Sequence, residues 1–588
     1  MENHNVRVSE VDAVTLQVLQ GQLSAAAEEM QITLLKSSYS SIVTESQDAT
    51  SAIFDKHGAT VAQAVAIPIH LGVLAELGKR FAASFPEGVA RPGDVYVMND
   101  PYAGGTHLPD LAVASPVFAG GELVAYVVTM THHQDVGGSV PGSTAIKVFD
   151  HFAEGLRIPM CKLYDGGERN EALFAMMLSN TRTPSNMRGD LNAQISGCMT
   201  GAGRVVEMFE KWGAPVVNAA MQQLLDYAEK LTRLEIERIP DGQYHFTDYL
   251  DDDGSSPDAE PLPVVCCMTV KGSSLHFDFT GTADQVSTAI NNVPYSAVSA
   301  VYYVVRTLTG DQAPNNDGGY RPVTCHMPEG SLINPRFPAP INARAVSLRR
   351  VVDVVLGVMA QAIPERMPAA NCGQSSLIHV GTTRSATGER VVATVGGPWM
   401  GGMGARPGKD GVDVTDHDAS NVFHLSVEVS EAELPIQFKT VQLWTDSGGA
   451  GKYRGGLGYH CEFTWLEGEG MATVRRDRHK FAPWGLDGGL PGPHCRTVLQ
   501  PSDGDELPLM SKVQLVLKPG DTLKLWTTGS GGHGDPRERE LDRVLDDVID
   551  GKVSEEAAES LYGVHIDRTS IEGSSAQQLR PRRVANAG

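Results

Sequence analysis

Asn99-Asp100-Pro101-Tyr102-Ala103-Gly104-Gly105-Thr106-His107-Leu108-Pro109-Asp110 leads into an apolar run, and His132-His133-Gln134-Asp135-Val136-Gly137-Gly138 follows one. Between the two polar clusters, Leu111 to Phe118 and Leu123 to Met130 flank the turn sequence Ala119-Gly120-Gly121-Glu122, which predicts a β-hairpin. A hairpin brings its open ends together. His107 and Asp110 are therefore expected beside His132 and His133, although more than twenty residues separate the clusters. Converging nitrogen and oxygen donors point to a divalent-metal site, and mixed imidazole and carboxylate donors suit Zn, Mn or Fe without choosing among them.

Upstream, Val14, Val18, Leu19, Leu23, Ala26, Met30 and Leu34 recur at helical spacing, predicting an amphipathic helix from Asp12 to about Ser38. The following run ends as a strand closed by Lys56-His57-Gly58, which puts Asp48 just ahead of that strand. A second strand is expected from Val61 to Ile67, where Pro68 ends it, and His70-Leu71-Gly72 opens a helix reaching about Ala83. Gly93 to Met98 reads as a short strand delivering the Asn99-Asp100-Pro101 corner.

Downstream, helical periodicity from Val217 to Ile239 stops at Pro240-Asp241-Gly242. Strands are expected at Tyr244 to Tyr249, Val264 to Val270 and Leu275 to Phe279, and helices at Ser296 to Leu308 and Ser347 to Ile363. The acidic run Asp251-Asp252-Asp253-Gly254 reads as a solvated hairpin tip. The glycine-rich run from Gly396 to Ala405 lacks the Gly-Lys-Ser/Thr ending of a phosphate loop and reads as a tight structural turn. No nucleotide fingerprint occurs elsewhere, so any ATP is expected on another chain. Val422 to Trp526 is strand-rich, and a helix carrying Leu541, Val544, Leu545 and Val548 follows it.

The predicted fold class is α+β: a large, multi-domain mixed α/β protein with a hairpin-built metal site and a strand-rich C-terminal part. At 588 residues, one core is too few. The expected units are an N-terminal domain over 1–240 with the metal site, a central domain over 241–420, a C-terminal domain over 421–565, and a flexible tail over 566–588. With 48 basic against 71 acidic residues, a net charge of −23 and no basic stripe, nucleic acid and anionic membranes are poor partners. No apolar run approaches the ~20 residues of a membrane span. Met1-Glu2-Asn3-His4 has no leader character, and a cytoplasmic location is expected. The eight cysteines form no Cys-x-x-Cys pair, which disfavours structural zinc and a disulfide framework.

Four motifs in order, Asn99-Asp100-Pro101-Tyr102 to Asp110, His132-x-x-Asp135-Val136-Gly137-Gly138 with Pro141-Gly142, Asp446 to Gly456, and Gly531 to Pro536, resemble the hydantoinase B/5-oxoprolinase family. The similarity runs from the first helix to Tyr562-Gly563-Val564. The resemblance implies the B-type component of an ATP-dependent hydrolase of cyclic amides (lactam, hydantoin or 5-oxoproline-like rings), working in a hetero-oligomer with a hydantoinase A-type ATPase subunit that takes up ATP and phosphorylates the substrate. The family also implies a second reading, a subunit of an acetone- or acetophenone-type carboxylase, and the non-enzymatic alternative is a scaffold whose metal, if any, is structural. Its ligand positions fall here on His107, Asp110 and His132, with Asp48 as a fourth. Where relatives often carry Glu-Arg-x-Asp, this chain has Glu45-Ser46-Gln47-Asp48.

Candidate catalytic residues are His133 as general base, Asp135 as the carboxylate that orients a ligating histidine, and Asp100 as a substrate-orienting group. Asp135 and Asp100 have structural alternatives: Asp135 as a turn residue before Gly137-Gly138, and Asp100, like Asn99, as a cap on the corner before Pro101. Arg454, Arg475, Arg476 and His479 are candidates for holding an anionic intermediate or for ordinary salt bridges. His533 lies among glycines and reads either as a cavity residue or as a turn.

Overall fold

The computed structural model of the chain describes residues 10–148, 150–374, 376–384, 387–397, 399–570 and 577–584. The expectations for residues 1–4 and for tail residues 571–576 and 585–588 lie outside the described residues.

Asp12 caps the first helix, Ala13–Ser37, by accepting from the backbone N–H groups of Val14 and Thr15, both at 3.1 Å. The helix buries Leu19, Leu23, Ala26, Met30 and Leu34, the stripe read from the sequence. With the helices Pro184–Trp212 and Ala214–Ile236, it covers one face of a seven-stranded antiparallel sheet. The strands are β1 (Ala49–Asp55), β2 (Thr60–Gln63), β3 (Val95–Met98), β4 (Asp110–Ala119), β5 (Glu122–His132), β6 (Cys161–Asp165) and β7 (Glu168–Arg169), in the order β2-β1-β5-β4-β3-β6-β7. The helix Leu71–Ser84 covers the other face. Alternation decides which residue goes where: Ile53, Val113 and Val127 pack under the three-helix layer, whereas Phe54, Ala112, Ala114, Tyr126 and Val128 pack under Leu74, Leu77 and Phe81. Because both faces are covered, β4 and β5 read as continuous apolar runs rather than as alternating ones.

The predicted hairpin is β4–β5, and its register pairs Asp110 with His132. The second predicted strand is shorter than expected: it stops at Gln63, and a single 3-10 turn, Pro68–His70, leads into the helix Leu71–Ser84. The 29-residue helix Pro184–Trp212 was not legible, because Gly189, Gly197, Gly201 and Gly203 interrupt its pattern. The first helix explains one of these glycines: a Cβ on Gly201 would meet the Met30 sulfur at 2.2 Å.

The second sheet has the order Val323–His326, Ser274–Asp278, Leu262–Lys271, Gly242–Leu250, and shares a core with the helices Pro294–Thr309 and Ala345–Ala362. Two further sheets pack face to face around Trp465, Phe463, Val474, Ile378 and Leu525. Their strands do not respect the expected boundary at residue 420. Leu377–Thr383 pairs with Gly470–Arg475, so the sandwich draws strands from both sides of it. Within and just before the segment expected as a flexible tail, Val564–Ser570 and Gln577–Arg583 pair as an antiparallel hairpin.

The acidic run is also corrected. Asp251 and Asp252 are buried, not at a solvated tip. Asp251 accepts from the backbone N–H groups of His479 and Lys480, and Asp252 pairs with Lys480 and Lys512. They belong to a buried ionic network in which Arg350 spans Asp248 (2.8 Å) and Asp477 (2.7 Å), and Arg478 meets Asp353 at 2.6 Å. A strand and a helix of the central layer are thereby clamped to the C-terminal sandwich.

Removing one partner from such a network strands the other charge in the interior. Asp477→Ala is expected to cost about 3–5 kcal/mol, read as a lowered denaturant midpoint. Burial acts to raise the Asp248 pKa, but Arg350 and Arg478 outweigh it and hold it below 3.8. A depressed folded pKa gives stability that is full above 3.8 and lost as pH falls further, so unfolding scans in acid should show this loss below that value.

Candidate metal centre

Period-two alternation sets the site. Asp110 is the first residue of β4 and shares a face with Ala112 and Ala114; His132 is the last of β5 and shares that face with Met130 and Val128. His107 reaches the same spot from the loop after the Pro101–Ala103 turn. Donor atoms of His107, Asp110 and His132 all lie within 4.8 Å of one another, and the two rings are 5.0 Å apart at their centroids. All three side chains are buried and line one cavity, as do Asp48 and His70.

The protonation pattern suits cation binding. His107 Nδ1 donates to the backbone carbonyl of Asn342 (3.0 Å), which leaves the Nε2 lone pair free. That Nε2 atom is 3.3 Å from Asp110 Oδ2 and has no hydrogen-bond partner; His132 Nδ1 has none either. Burial, reinforced by the Arg344 charge, lowers the His107 pKa, and burial with His107 beside it puts that of His132 well below its usual value. Both rings are therefore neutral at neutral pH, the form in which imidazole can coordinate a cation. Burial acts to raise Asp110, but His107, His70 and Arg344 outweigh it and hold the carboxyl well below the usual range. It accepts from the Thr106 hydroxyl and from Arg344 Nη2 (2.6 Å). Two donors bound to one ion at ~2.1 Å, with angles between the octahedral and tetrahedral values, lie ~3.0–3.4 Å apart. The 3.3 Å spacing meets that test.

Asp48 lines the same cavity, and its backbone carbonyl accepts from His132 N at 3.1 Å, but its carboxyl is not in the 4.8 Å cluster. Burial and the nearby Asp110 charge raise its pKa well above the usual value.

The three catalytic candidates have other work. His133, one residue past His132, turns to the opposite face, where Nε2 donates to Gln194 Oε1 (3.0 Å) on the Pro184–Trp212 helix. It lies away from the cavity, so the general-base expectation has no geometric support. Asp135 accepts from Gly137 N, Gly142 N and Arg182 N and pairs with Arg182 Nη1 at 2.8 Å; it clamps the loop, which is the turn alternative. Asp100 caps the Pro101–Ala103 turn through Tyr102 N (3.0 Å), while Asn99 bonds Leu108, Leu156 and Ile158. Arg454 pairs with Asp413 and Asp547, and His479 is half-buried and does not line the cavity. His533 bridges Tyr453 and Leu486 in a packed glycine-rich turn.

Several cavity residues were not singled out from the sequence. His70, at the N-terminal end of the Leu71–Ser84 helix, bonds the Thr50 hydroxyl (2.7 Å) and lies 3.7 Å from Asp110. Arg344 precedes the helix Ala345–Ala362 and supplies the Asp110 counter-charge from more than 230 residues away. His379, from the C-terminal sandwich, accepts from Arg475 Nη2 at 2.8 Å. No local pattern marks these residues; only the fold joins them.

The family model described as hydantoinase B/oxoprolinase matches residues 12–536. A chain from Pseudomonas sp. (strain NS671), provisionally named as the B-type component of a D-/L-hydantoinase, is 34% identical, covering 99% of this chain and 100% of that one. The beta chain of the caprolactamase of Pseudomonas jessenii is 33% identical over 95% of this chain and 97% of its own. The crystal structure of the ATP-dependent caprolactamase from the same organism superposes with a TM-score of 0.89 at 32% identity, covering 95% of this chain and 97% of that one. A nucleotide-free acetone carboxylase structure, at 20% identity and a TM-score of 0.87, shares the fold.

Asp135→Ala should lower stability by about 2–4 kcal/mol, because it strands Arg182 and three backbone donors. Thermal unfolding reads this directly. An unchanged midpoint with lost turnover would return Asp135 to the catalytic set.

Proposed function

The chain belongs to the hydantoinase B/oxoprolinase family, and from that premise we propose that it is the B-type subunit of an ATP-dependent cyclic amide hydrolase. Its partner in this reading is an A-type ATPase subunit that phosphorylates the ring carbonyl oxygen. The relatives named as subunits favour a hetero-oligomer, and the P. jessenii caprolactamase is described as ATP-dependent. Among the described residues no helix is long and apolar enough to cross a membrane.

The observation that carries the proposal is the convergence of His107, Asp110 and His132 in one buried cavity. Phosphorylation makes a good leaving group but no nucleophile. A bound divalent ion (Zn, Mn or Fe) would supply the missing nucleophile by lowering the pKa of water toward ~7. In this proposal His107, Asp110 and His132 hold the ion, with Asp48 as the fourth ligand on the same wall. Asn342 fixes the tautomer of His107, and Thr106 and Arg344 keep the Asp110 oxygen ionised and oriented. His70 stands at the hydrogen-bonding edge of Asp110 and restrains it from a second side.

The chain assembled with its ATPase partner should open a lactam or hydantoin ring with ATP and without bicarbonate. Bicarbonate-dependent loss of a ketone would instead assign a carboxylase. Purified protein should retain a divalent ion, detected by elemental analysis. The double variant His107→Ala, His132→Ala should lose the ion and slow ring opening by at least about 100-fold while staying assembled. Retained turnover in that variant would overturn the metal reading and favour a scaffold role.

A further inference from the structure

Buried arginines in this chain are, with few exceptions, paired. Arg344, Arg349, Arg350, Arg454, Arg478 and Arg539 each meet a carboxylate within 4 Å. Arg476 has none but donates to the carbonyls of Arg496 and Trp526 and to the Thr497 hydroxyl, all at 2.6–2.7 Å. Arg475 has neither arrangement. It is 2% exposed, has no carboxylate partner among the described residues, and makes one side-chain hydrogen bond, from Nη2 to His379 Nε2; its Nε is buried without a partner.

This guanidinium faces the cavity that holds His107, Asp110 and His132. It arrives from the opposite side, as the last residue of the strand Gly470–Arg475 in the C-terminal sandwich. His379 fixes it: an arginine only donates, so His379 Nε2 accepts, and its Nδ1–H is left to bond the Thr394 hydroxyl at 3.1 Å. Burial first, and Arg344 second, hold the Arg475 pKa down to about 9, still cationic at neutral pH.

The charge balance has a consequence. Asp48 and Asp110 are the acidic residues of the lining, and neither pairs with Arg475. Arg344 answers Asp110, and Arg475 is then an unanswered positive charge in a low-dielectric wall. A buried cation of this kind is costly unless an anion completes it. A divalent ion at the histidines would make the deficit of negative charge larger.

We propose that Arg475, positioned by His379, is the anion subsite of this cavity and takes an oxyanion group of the substrate, either the phosphoryl group placed on the ring carbonyl or a carboxylate on the ring. The inference rests on the reading of the chain as the subunit that receives a phosphorylated cyclic amide. It assigns the guanidinium to binding, with no bond made or broken at the residue.

The test uses the full chain loaded with Mn2+ and inorganic phosphate as the probe. Calorimetry should show saturable phosphate binding by the wild type, weakened about ten-fold or more in Arg475→Met and less in Arg475→Lys, with manganese content unchanged in both. Equal phosphate affinity in the wild type and Arg475→Met overturns the subsite. Acetate as a competitor separates the two sources: displacement of phosphate by acetate supports a ring carboxylate, and its failure supports the phosphoryl group. A wild-type measurement stands apart from any folding defect of the variants. Bound Mn2+ should speed the 31P relaxation of phosphate, and no acceleration places the anion elsewhere and overturns the proposal. The two readings fail separately. Arg475-dependent phosphate binding by a chain that takes up no metal keeps the subsite and sinks the metal centre. Metal uptake with Arg475-independent phosphate binding does the reverse.

Discussion

A carboxylate kept ionised away from water is the constraint on which this architecture turns. Asp110 is 2% exposed, and burial alone would protonate it. Its charge persists because Thr106, His70, His107 and Arg344 surround it, and these come from separate stretches of chain. Satisfying one oxygen atom therefore requires the hairpin, the Leu71–Ser84 helix and the start of the Ala345–Ala362 helix to meet. The Glu154 carboxylate shows the same economy one layer out. It accepts from Ile341 N and Asn342 N, and so places the Asn342 carbonyl that bonds His107.

The hairpin, the amphipathic first helix and the helices over 294–309 and 345–362 were legible because periodicity and turn residues declare them locally. The same logic brought His107, Asp110 and His132 together. Choosing between His132 and His133 required one more step, counting outward from Met130 and Val128 to find which histidine shares their face. The aspartates of the corner and the loop had two readings each, and the hydrogen bonds favour the structural one. Asp100 and Asp135 look catalytic in a list of polar residues, but turns rich in glycine need carboxylates to satisfy their N–H groups, and that demand engages them.

What could not be read was anything carried by long-range charge. Nothing local in Asp251-Asp252-Asp253 separates a solvated tip from a buried anchor; Lys512 and the backbone at His479 decide it. Nor does Arg344 or His379 sit in a recognisable motif. The long helix Pro184–Trp212 was hidden by glycines, two of which, Gly197 and Gly201, let the first helix approach closely, a tertiary requirement written as a local weakness.

The hairpin also has the character of a gauge block. Asp110 and His132 face one another only because β4 and β5, with the small irregularity near Phe118, contain the right number of residues between the turn and the open end. The interior of each strand can exchange one apolar residue for another while the gap between the two side chains stays the same. Losing or gaining a single residue in either strand swings one of them through to the opposite face and His133 or its like into its place. The geometry of the candidate centre thus depends on strand length more than on strand composition.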